Sequence, residues 1–328
     1  MSSKSTKIVT CPVNVMVIGA AGGIGKSTSM ILADSGSVSK LILVDIVDNK
    51  GLAEELNHIT SNCFVKSQAI DQCDVDCDIV VVVCGKPQSK IDQKRDDLFR
   101  DNAKIYKKIM ETLAPRMDRN PIYIIVGNPV NSLLVVCAET LKKIGKYDKT
   151  KLLGFNELDL MRSKRFLANE INEDPKKVIV PLIGGHSEKT IFPVFECARL
   201  INNDGSISPI IGNKEKVKES GDNILHAYDY KGTAVYSTAI GILRMVEKIS
   251  GPETKNFADC CFIEHGLQGL YLPQYFTIPC ELWRGGVKCV NDPDHILSKI
   301  DKNDLEALKK EIQSNIDTAM DFIRSNEN

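Results

Sequence analysis

A doubly wound, parallel α/β sheet followed by a second, α+β lobe is the fold class this 328-residue sequence predicts. Three observations predict it. An apolar run, Val13-Asn14-Val15-Met16-Val17-Ile18, breaks into Gly19-Ala20-Ala21-Gly22-Gly23-Ile24-Gly25, and a second run, Leu41-Ile42-Leu43-Val44, ends in Asp45. Apolar runs then alternate with helical patterns through the first half, as a parallel sheet with crossover helices requires. From about Gly154 onward the helices lengthen and the strands shorten. The chain is long for one core, and it divides into two closely packed lobes at residues 1–154 and 155–328.

The opening order of strand, glycine turn, helix, strand and acid is that of a Rossmann-type dinucleotide-binding unit. Gly19, Ala20, Ala21, Gly22, Gly23, Ile24 and Gly25 let the backbone turn tightly and approach a pyrophosphate. The following helix turns unpaired N–H groups and the positive end of its dipole toward the anion. Asp45 stands twenty positions after Gly25, where a carboxylate accepts hydrogen bonds from a ribose diol. It repels a 2′-phosphate by roughly 4 kcal/mol per unit charge at about 4 Å and an effective dielectric near 20. The cofactor expected is therefore NAD, not NADP. Gly25-Lys26-Ser27 imitates the end of a phosphate-binding P-loop, but the glycine required five positions earlier is Ala20, which counts against a nucleotide triphosphatase. Lys26 reads as a solvated residue of the first helical turn.

A helix around Leu52 to Ile59, a strand at Ile79 to Cys84, a helix from about Asp97 to Leu113 and a strand at Ile122 to Val126 follow. Gly127-Asn128-Pro129 ends that last strand at the same sheet edge as the glycine turn. Open α/β sheets bind ligands outside these carboxyl ends, so Asn128 belongs near the cofactor on topology alone, and its neighbours Val126 and Gly127 are expected on the cofactor side with it. In the second half, Asn203-Asp204-Gly205 signals a hairpin. Leu305, Leu308, Ile312, Ile316 and Ile323 recur near helical spacing and read as core packing.

Composition narrows the function classes. Net charge is −1 with Lys and Arg spread along the chain, which leaves no basic field for nucleic acid. No apolar stretch approaches a membrane span, and there is no secretory apolar region near the start. The eleven cysteines form an odd set, several inside apolar runs, as Cys84 after Val80-Val81-Val82-Val83; they read as small buried hydrophobes of a reducing compartment. Neither Cys73 with Cys77 nor Cys260 with Cys261 has the second close pair of a zinc site, so no metal is expected. The segment before Val13 holds Lys4 and Lys7 but no arginine, and is short for a mitochondrial transit peptide, so the expected compartment is the cytoplasm.

Three places carry candidate chemistry. Lys86-Pro87-Gln88-Ser89-Lys90-Ile91-Asp92-Gln93-Lys94-Arg95-Asp96 follows a buried strand and reads either as a solvated connection or as a lid that brings the Arg95 cation to a substrate. Asp159 and Arg162 stand three apart, which on a helix gives an ordinary surface ion pair. Their apolar neighbours point instead to a buried fork suited to a planar carboxylate. His186 follows Ile183-Gly184-Gly185, and glycines before a histidine at a strand end let the ring face a cavity; a catalytic reading also needs an acid to orient it. His58, His226, His265 and His295 read as structural.

Together these residues resemble the malate and lactate dehydrogenase family, most closely its mitochondrial-type malate dehydrogenases. The resemblance runs in the family's order through the glycine turn, Asp45, Arg95-Asp96-Asp97-Leu98-Phe99, Gly127-Asn128-Pro129-Val130-Asn131, Leu158-Asp159-Leu160-Met161-Arg162 and Ile183-Gly184-Gly185-His186-Ser187-Glu188-Lys189-Thr190. It implies an NAD-dependent 2-hydroxy acid dehydrogenase that works as a homodimer or tetramer. His186 would take the proton of the 2-hydroxyl, with Asp159 fixing its tautomer and stabilising the imidazolium. Arg162 would grip the C1 carboxylate and Arg95 polarise the carbonyl in the reverse direction. Asn128 would orient substrate or cofactor, and Asn102 and Thr238 match cofactor neighbours of the family.

One departure bears on the substrate. Malate members carry an arginine for the second carboxylate three positions after the loop-opening glycine and six before the catalytic arginine. Here the first count gives Gln88 and the second Ser89, because the loop holds one extra residue. Glutamine resembles the lactate members. Either Lys86, Lys90 or Lys94 meets the second carboxylate as a point charge, or the pocket is neutral and favours lactate or a broader set of 2-hydroxy acids. The malate-like remainder of the chain makes L-malate and oxaloacetate the expected pair. A cofactor-binding scaffold without turnover is the non-enzymatic alternative, and the intact His186, Asp159, Arg162 and Arg95 set weighs against it.

Overall fold

The computed structural model describes residues 11–86, 95–212, 215–251, 259–290 and 293–326. The first half runs β1 (Val13–Ile18), α1 (Gly23–Asp34), β2 (Val38–Val44), α2 (Lys50–Leu56), β3 (Phe64–Gln68), β4 (Ile79–Val82), α3 (Arg95–Leu113), β5 (Ile122–Ile125), α4 (Val130–Lys143) and β6 (Leu152–Gly154). These six strands are parallel in the order β3-β2-β1-β4-β5-β6. Every residue of β4 and β5 is buried, as is all of β1 but Asn14, because helices cover both faces of the sheet. Each such Val or Ile side chain contributes roughly 1.5–3 kcal/mol by leaving water.

The strand order reverses between β1 and β4, the kind of place where open α/β sheets bind ligands outside the carboxyl ends. The sequence reading missed β3, whose residues Phe64-Val65-Lys66-Ser67-Gln68 bury only Val65 and so carry little apolar signal on this edge strand. Three expected elements end sooner in the structure: α2 stops at Leu56, before Ile59, β4 at Val82, before Cys84, and β5 at Ile125, before Val126.

The second half continues the same sheet. It adds α5 (Glu157–Ile171), β7 (Val178–Ile179), β8 (Leu182–Gly184), β9 (Ile191–Pro193), β10 (Arg199–Ile201), β11 (Ile207–Pro209), α6 (Glu215–Ala227), α7 (Val235–Ser250), β12 (Asp259–Glu264), β13 (Tyr275–Trp283), β14 (Gly286–Val290), α8 (Pro293–Leu297) and α9 (Lys302–Ser325). Past β6 the pairing turns antiparallel through β12, β13, β8 and β9. Asn203-Asp204-Gly205 does turn a hairpin, between β10 and β11, with Gly205 at φ +82°. Asp301 caps α9 by accepting from the Asn303 and Asp304 amides, and the stripe Leu308, Ile312, Ile316 and Ile323 is buried, with Leu305 packed at its edge.

A polar hub ties α4 to β12 and β13. The Lys142 ammonium donates to Glu139 at 2.8 Å and to the Tyr275 hydroxyl at 3.1 Å and pairs with Glu264 at 3.4 Å, while Tyr147 donates to Glu264. Burial pushes the Glu264 carboxyl up, but the Tyr147, Gln274 and Lys142 donors outweigh it and hold it below its ordinary value of 4.5. A depressed carboxyl contributes stability above its unfolded value and loses it as pH falls through the folded one. Melting temperature is therefore expected to drop below about pH 4.5, with a shallower acid slope in Lys142→Met. An unchanged slope in that variant would remove the hub as the cause.

Candidate active site

The glycine turn sits at the point where the strand order reverses. Gly19 has φ +97°, and a Cβ there would lie 2.5 Å from the Cys84 amide nitrogen, two residues past the end of β4. A Cβ on Gly25 would lie 2.0 Å from the Gly19 carbonyl oxygen, so only glycine lets α1 start this close to the turn. Gly22 caps α1 with no side-chain hydrogen bond, which leaves first-turn N–H donors for an anion. At the end of β2 the Asp45 carboxylate accepts from the Ala21 amide at 2.9 Å and from Val47 at 3.2 Å, so it is held beside the turn. Lys26 is exposed in the first turn of α1, as expected of a solvated residue. The N-terminus of α7 lies alongside: a Cβ on Gly23 would meet a Val235 methyl at 3.4 Å, and Thr238, one turn on, is buried with its hydroxyl donating to the Ala234 carbonyl. Bare glycine backbone, free donors and a fixed carboxylate suit the pyrophosphate and ribose of a dinucleotide. Beyond Asp45, Ile46 is wholly exposed and Val47 more than half, an apolar flank that the sequence reading did not single out although it directly follows the acid.

The next part of the floor joins the ends of β4 and β5. Asn102 on α3 is 1% exposed; its Oδ1 accepts from the Lys86 amide and its Nδ2 donates to the Asn128 carbonyl, each at 2.8 Å. Its amide is thus engaged with backbone on both sides. Val126 is buried, and the Gly127 amide donates to the Tyr106 hydroxyl at 3.0 Å, which in turn donates to the Cys84 carbonyl at 2.9 Å. Burial holds the Tyr106 phenol protonated far above its ordinary range. Nothing in the sequence marks Tyr106 apart from any aromatic on the buried face of a helix. Asn128 itself is exposed, and among the described residues its side chain has no partner.

Three expected residues converge across α5 and the end of β8. His186 Nδ1 lies 2.6 Å from Asp159 Oδ2, and Arg162 Nη1 donates to Asp159 Oδ1 at 3.3 Å. Asp159 is 0% exposed, so this is no surface ion pair, and one buried carboxylate serves both partners. Burial, partly offset by Asp159, pulls the Arg162 guanidinium below its ordinary value. Among the described residues His186 Nε2 has no protein partner, and Asp159 is the only partner of Arg162. The edge of Phe155 meets the histidine ring at a centroid distance of 6.4 Å.

Gln88, Ser89, Lys90 and Lys94 lie outside the described residues, as does the Arg95 side chain, whose backbone opens α3. Lys86 is described: its ammonium donates to Asp101 at 2.7 Å. Two residues without an assigned role stand behind His186. The His186 amide donates to Asn131 Oδ1 at 2.8 Å, and Asn156 Nδ2 donates to the Gly185 carbonyl at 3.1 Å. Asn131 belonged to a motif of the resemblance; Asn156 had no signal beyond its place before a helix. No group of three or more His, Cys, Asp or Glu among the described residues is placed to hold a metal ion.

A histidine beside a buried acid that an arginine shares, in a chain whose opening turn suits a dinucleotide, is the arrangement of a nicotinamide-dependent dehydrogenase. Two family profiles match the chain: lactate/malate dehydrogenase, NAD binding domain, over residues 13–154, and lactate/malate dehydrogenase, alpha/beta C-terminal domain, over residues 156–323. The mitochondrial malate dehydrogenase of Citrullus lanatus is 32% identical over 95% of this chain and 90% of that protein. The chloroplastic malate dehydrogenase of Arabidopsis thaliana is 34% identical over 94% of this chain and 77% of that protein. Among solved structures, the apo malate dehydrogenase of Picrophilus torridus superposes with a TM-score of 0.80 at 24% identity, covering 97% of this chain and 100% of that one. A minor L-lactate dehydrogenase of Enterococcus mundtii gives 0.75 at 21% identity, with 94% and 98% covered. The chain belongs to the lactate/malate dehydrogenase family, with NAD as its cofactor.

Proposed function

We propose that this chain interconverts L-malate and oxaloacetate with NAD. The observation that carries the reading is the shared Asp159 carboxylate, which orients a histidine with a free Nε2 beside a guanidinium with free donors. NAD, when bound, supplies the hydride acceptor for C2 of the hydroxy acid. His186 Nε2 takes the 2-hydroxyl proton and returns it in the reverse direction, while Asp159 holds Nδ1–H and offsets the imidazolium charge. Arg162 holds the C1 carboxylate through a pair of parallel N–H donors. Arg95 stabilises charge that develops on the carbonyl oxygen, and Asn128 orients the substrate. Gly19 to Gly25, Asp45, Asn102, Val126, Gly127 and Thr238 form the cofactor side, with Ile46 as an apolar flank for the adenine.

The second carboxylate divides two readings. Lys90, Lys94 and Lys86, whose ammonium forms an exposed pair with Asp101, are the loop cations that could meet malate's second carboxylate. Gln88 and Ser89, where malate members have arginine, favour the lactate reading. A neutral pocket that buried an unpaired carboxylate would penalise malate by several kcal/mol. NADH oxidation with oxaloacetate and pyruvate side by side tests this. A kcat/KM preference for oxaloacetate supports malate, and a preference for pyruvate overturns it.

Asp45→Ala is expected to raise kcat/KM with NADP by about ten- to a hundredfold relative to NAD, since one unit charge near a phosphate contributes a few kcal/mol. An unchanged NAD to NADP ratio would remove Asp45 as the ribose acid.

A homodimer in the cytoplasm completes the reading. Met30 on α1 and Tyr236 and Ile240 on α7 are exposed on two helices that pack together, and an apolar face of this kind suits a second copy. Among the described residues the cysteines are free, which suits a reducing compartment. No described helix is long and apolar enough to cross a membrane. Sedimentation and cell fractionation test the two parts.

A further inference from the structure

The carbonyl of Gly185 and the amide of His186 belong to one peptide unit, and two buried asparagines hold it from opposite ends. Asn131 Oδ1 accepts the N–H at 2.8 Å, and Asn156 Nδ2 donates to the carbonyl at 3.1 Å. Asn131 is 1% exposed and Asn156 is 0% exposed. Each is fixed in turn by a residue from a distant element. Asn131 Nδ2 donates to Asn315 Oδ1 on α9 at 2.8 Å and to Thr190 at 3.3 Å, and Asn156 Oδ1 accepts from Thr277 on β13 at 3.1 Å. The His186 N–H, a fixed donor, and the Gly185 carbonyl, a fixed acceptor, set which end of each amide is oxygen and which is nitrogen.

Two features go beyond ordinary packing. Asn156 occupies the N-cap position of α5, where an asparagine side chain normally accepts from the first helical turn, yet it makes no capping bond and spends its amide on Gly185 and Thr277 instead. Gly184 and Gly185 make room for the grip: a Cβ on Gly185 would lie 2.6 Å from the Asn131 amide, and one on Gly184 2.1 Å from the Thr190 carbonyl oxygen. Asn131 stands three residues after Asn128, and Asn156 three before Asp159. Both thus tie the histidine peptide to segments that face the substrate or the orienting acid.

We propose that Asn131 and Asn156 are positioning residues that clamp the Gly185–His186 peptide, so that His186 Nδ1 stays on Asp159 while Nε2 faces the 2-hydroxyl. The clamp rests on the dehydrogenase reading above. An imidazole hung on a free peptide would sweep Nε2 by about an ångström or more, and a misplacement of that size lowers turnover by up to about a hundredfold. The two asparagines have opposite jobs, one accepting and one donating, so the same chemical change separates them. Asn131→Asp keeps the acceptor for the His186 amide, and Asn315 meets the new oxygen by turning its own amide over. Asn156→Asp removes the only donor to the Gly185 carbonyl among the described residues and faces it with an oxygen.

The test is steady-state kinetics of both variants with oxaloacetate and pyruvate, with NADH binding followed separately by fluorescence titration. Expected is a kcat within about fivefold of the parent for Asn131→Asp and about a hundredfold lower for Asn156→Asp, with KM and NADH affinity moved less than about threefold in each. Asn315→Ala, at a half-buried outer position, keeps the question open to measurement if Asn156→Asp does not fold; it is expected to lower kcat several-fold with KM unchanged. Equal losses in the two aspartate variants, or losses confined to KM, would overturn the clamp. So would full kcat in Asn315→Ala. Failure of the parent protein to oxidise NADH with any 2-oxo acid would instead overturn the dehydrogenase reading.

Discussion

His186→Asn is expected to lower turnover by about four orders of magnitude while NADH affinity stays within a few-fold. Asparagine is close to the imidazole in reach and keeps a polar end for Asp159, but it can neither take nor return a proton near neutral pH. The large loss therefore reports proton transfer and not a collapsed site. NADH should still bind, because His186 hangs on the peptide after β8 and the glycine turn lies between β1 and α1, on a different element. Stopped-flow measurement of the chemical step, with a separate NADH titration, separates the two effects. Loss of NADH binding in a folded variant would move His186 out of the proton-transfer role.

Asp159→Asn is expected to cost nearly as much, about 10³- to 10⁴-fold in kcat, by a different route. The carboxylate accepts from His186 on one oxygen and from Arg162 on the other. An amide in its place can satisfy one partner only, and its NH₂ group must face either the ring Nδ1 or the guanidinium. The wrong histidine tautomer is then favoured, and a buried arginine loses its counter-charge. Breaking a buried pair from one side costs about 3–5 kcal/mol, so the melting temperature should also fall. Arg162→Gln gives the contrast: it leaves the histidine oriented and removes the substrate grip, so its main effect is expected on KM for the 2-oxo acid. If Asp159→Asn altered KM alone, with kcat intact, Asp159 would serve Arg162 and not His186.

Much of this protein is legible in its sequence because the physics involved is local. The opening turn is one example: Gly19 and Gly25 must be glycine because a Cβ at either would collide with backbone, and such a demand marks the sequence directly. The continuous apolar runs of β1, β4 and β5 are another, since strands buried on both faces leave no polar alternation. The strand β3 was not legible, because an edge strand with one buried residue has no apolar signature to read.

The sequence by itself determined the opening strand, glycine turn, helix and strand, the carboxylate that ends them and the residue types of the acid, histidine and arginine set, because turns, helix caps and apolar periodicity act over a few neighbours. Only the tertiary structure decided how those residues are brought together. It took Asp159 and His186, 27 positions apart, to 2.6 Å, and it set the Lys86 ammonium 2.7 Å from Asp101 in an exposed pair. It also brought Asn131 and Asn156 to the two ends of one peptide, 55 and 29 positions from their partners. Hydrogen bonds over such separations depend on how strands and helices pack, and that depends on the whole core at once.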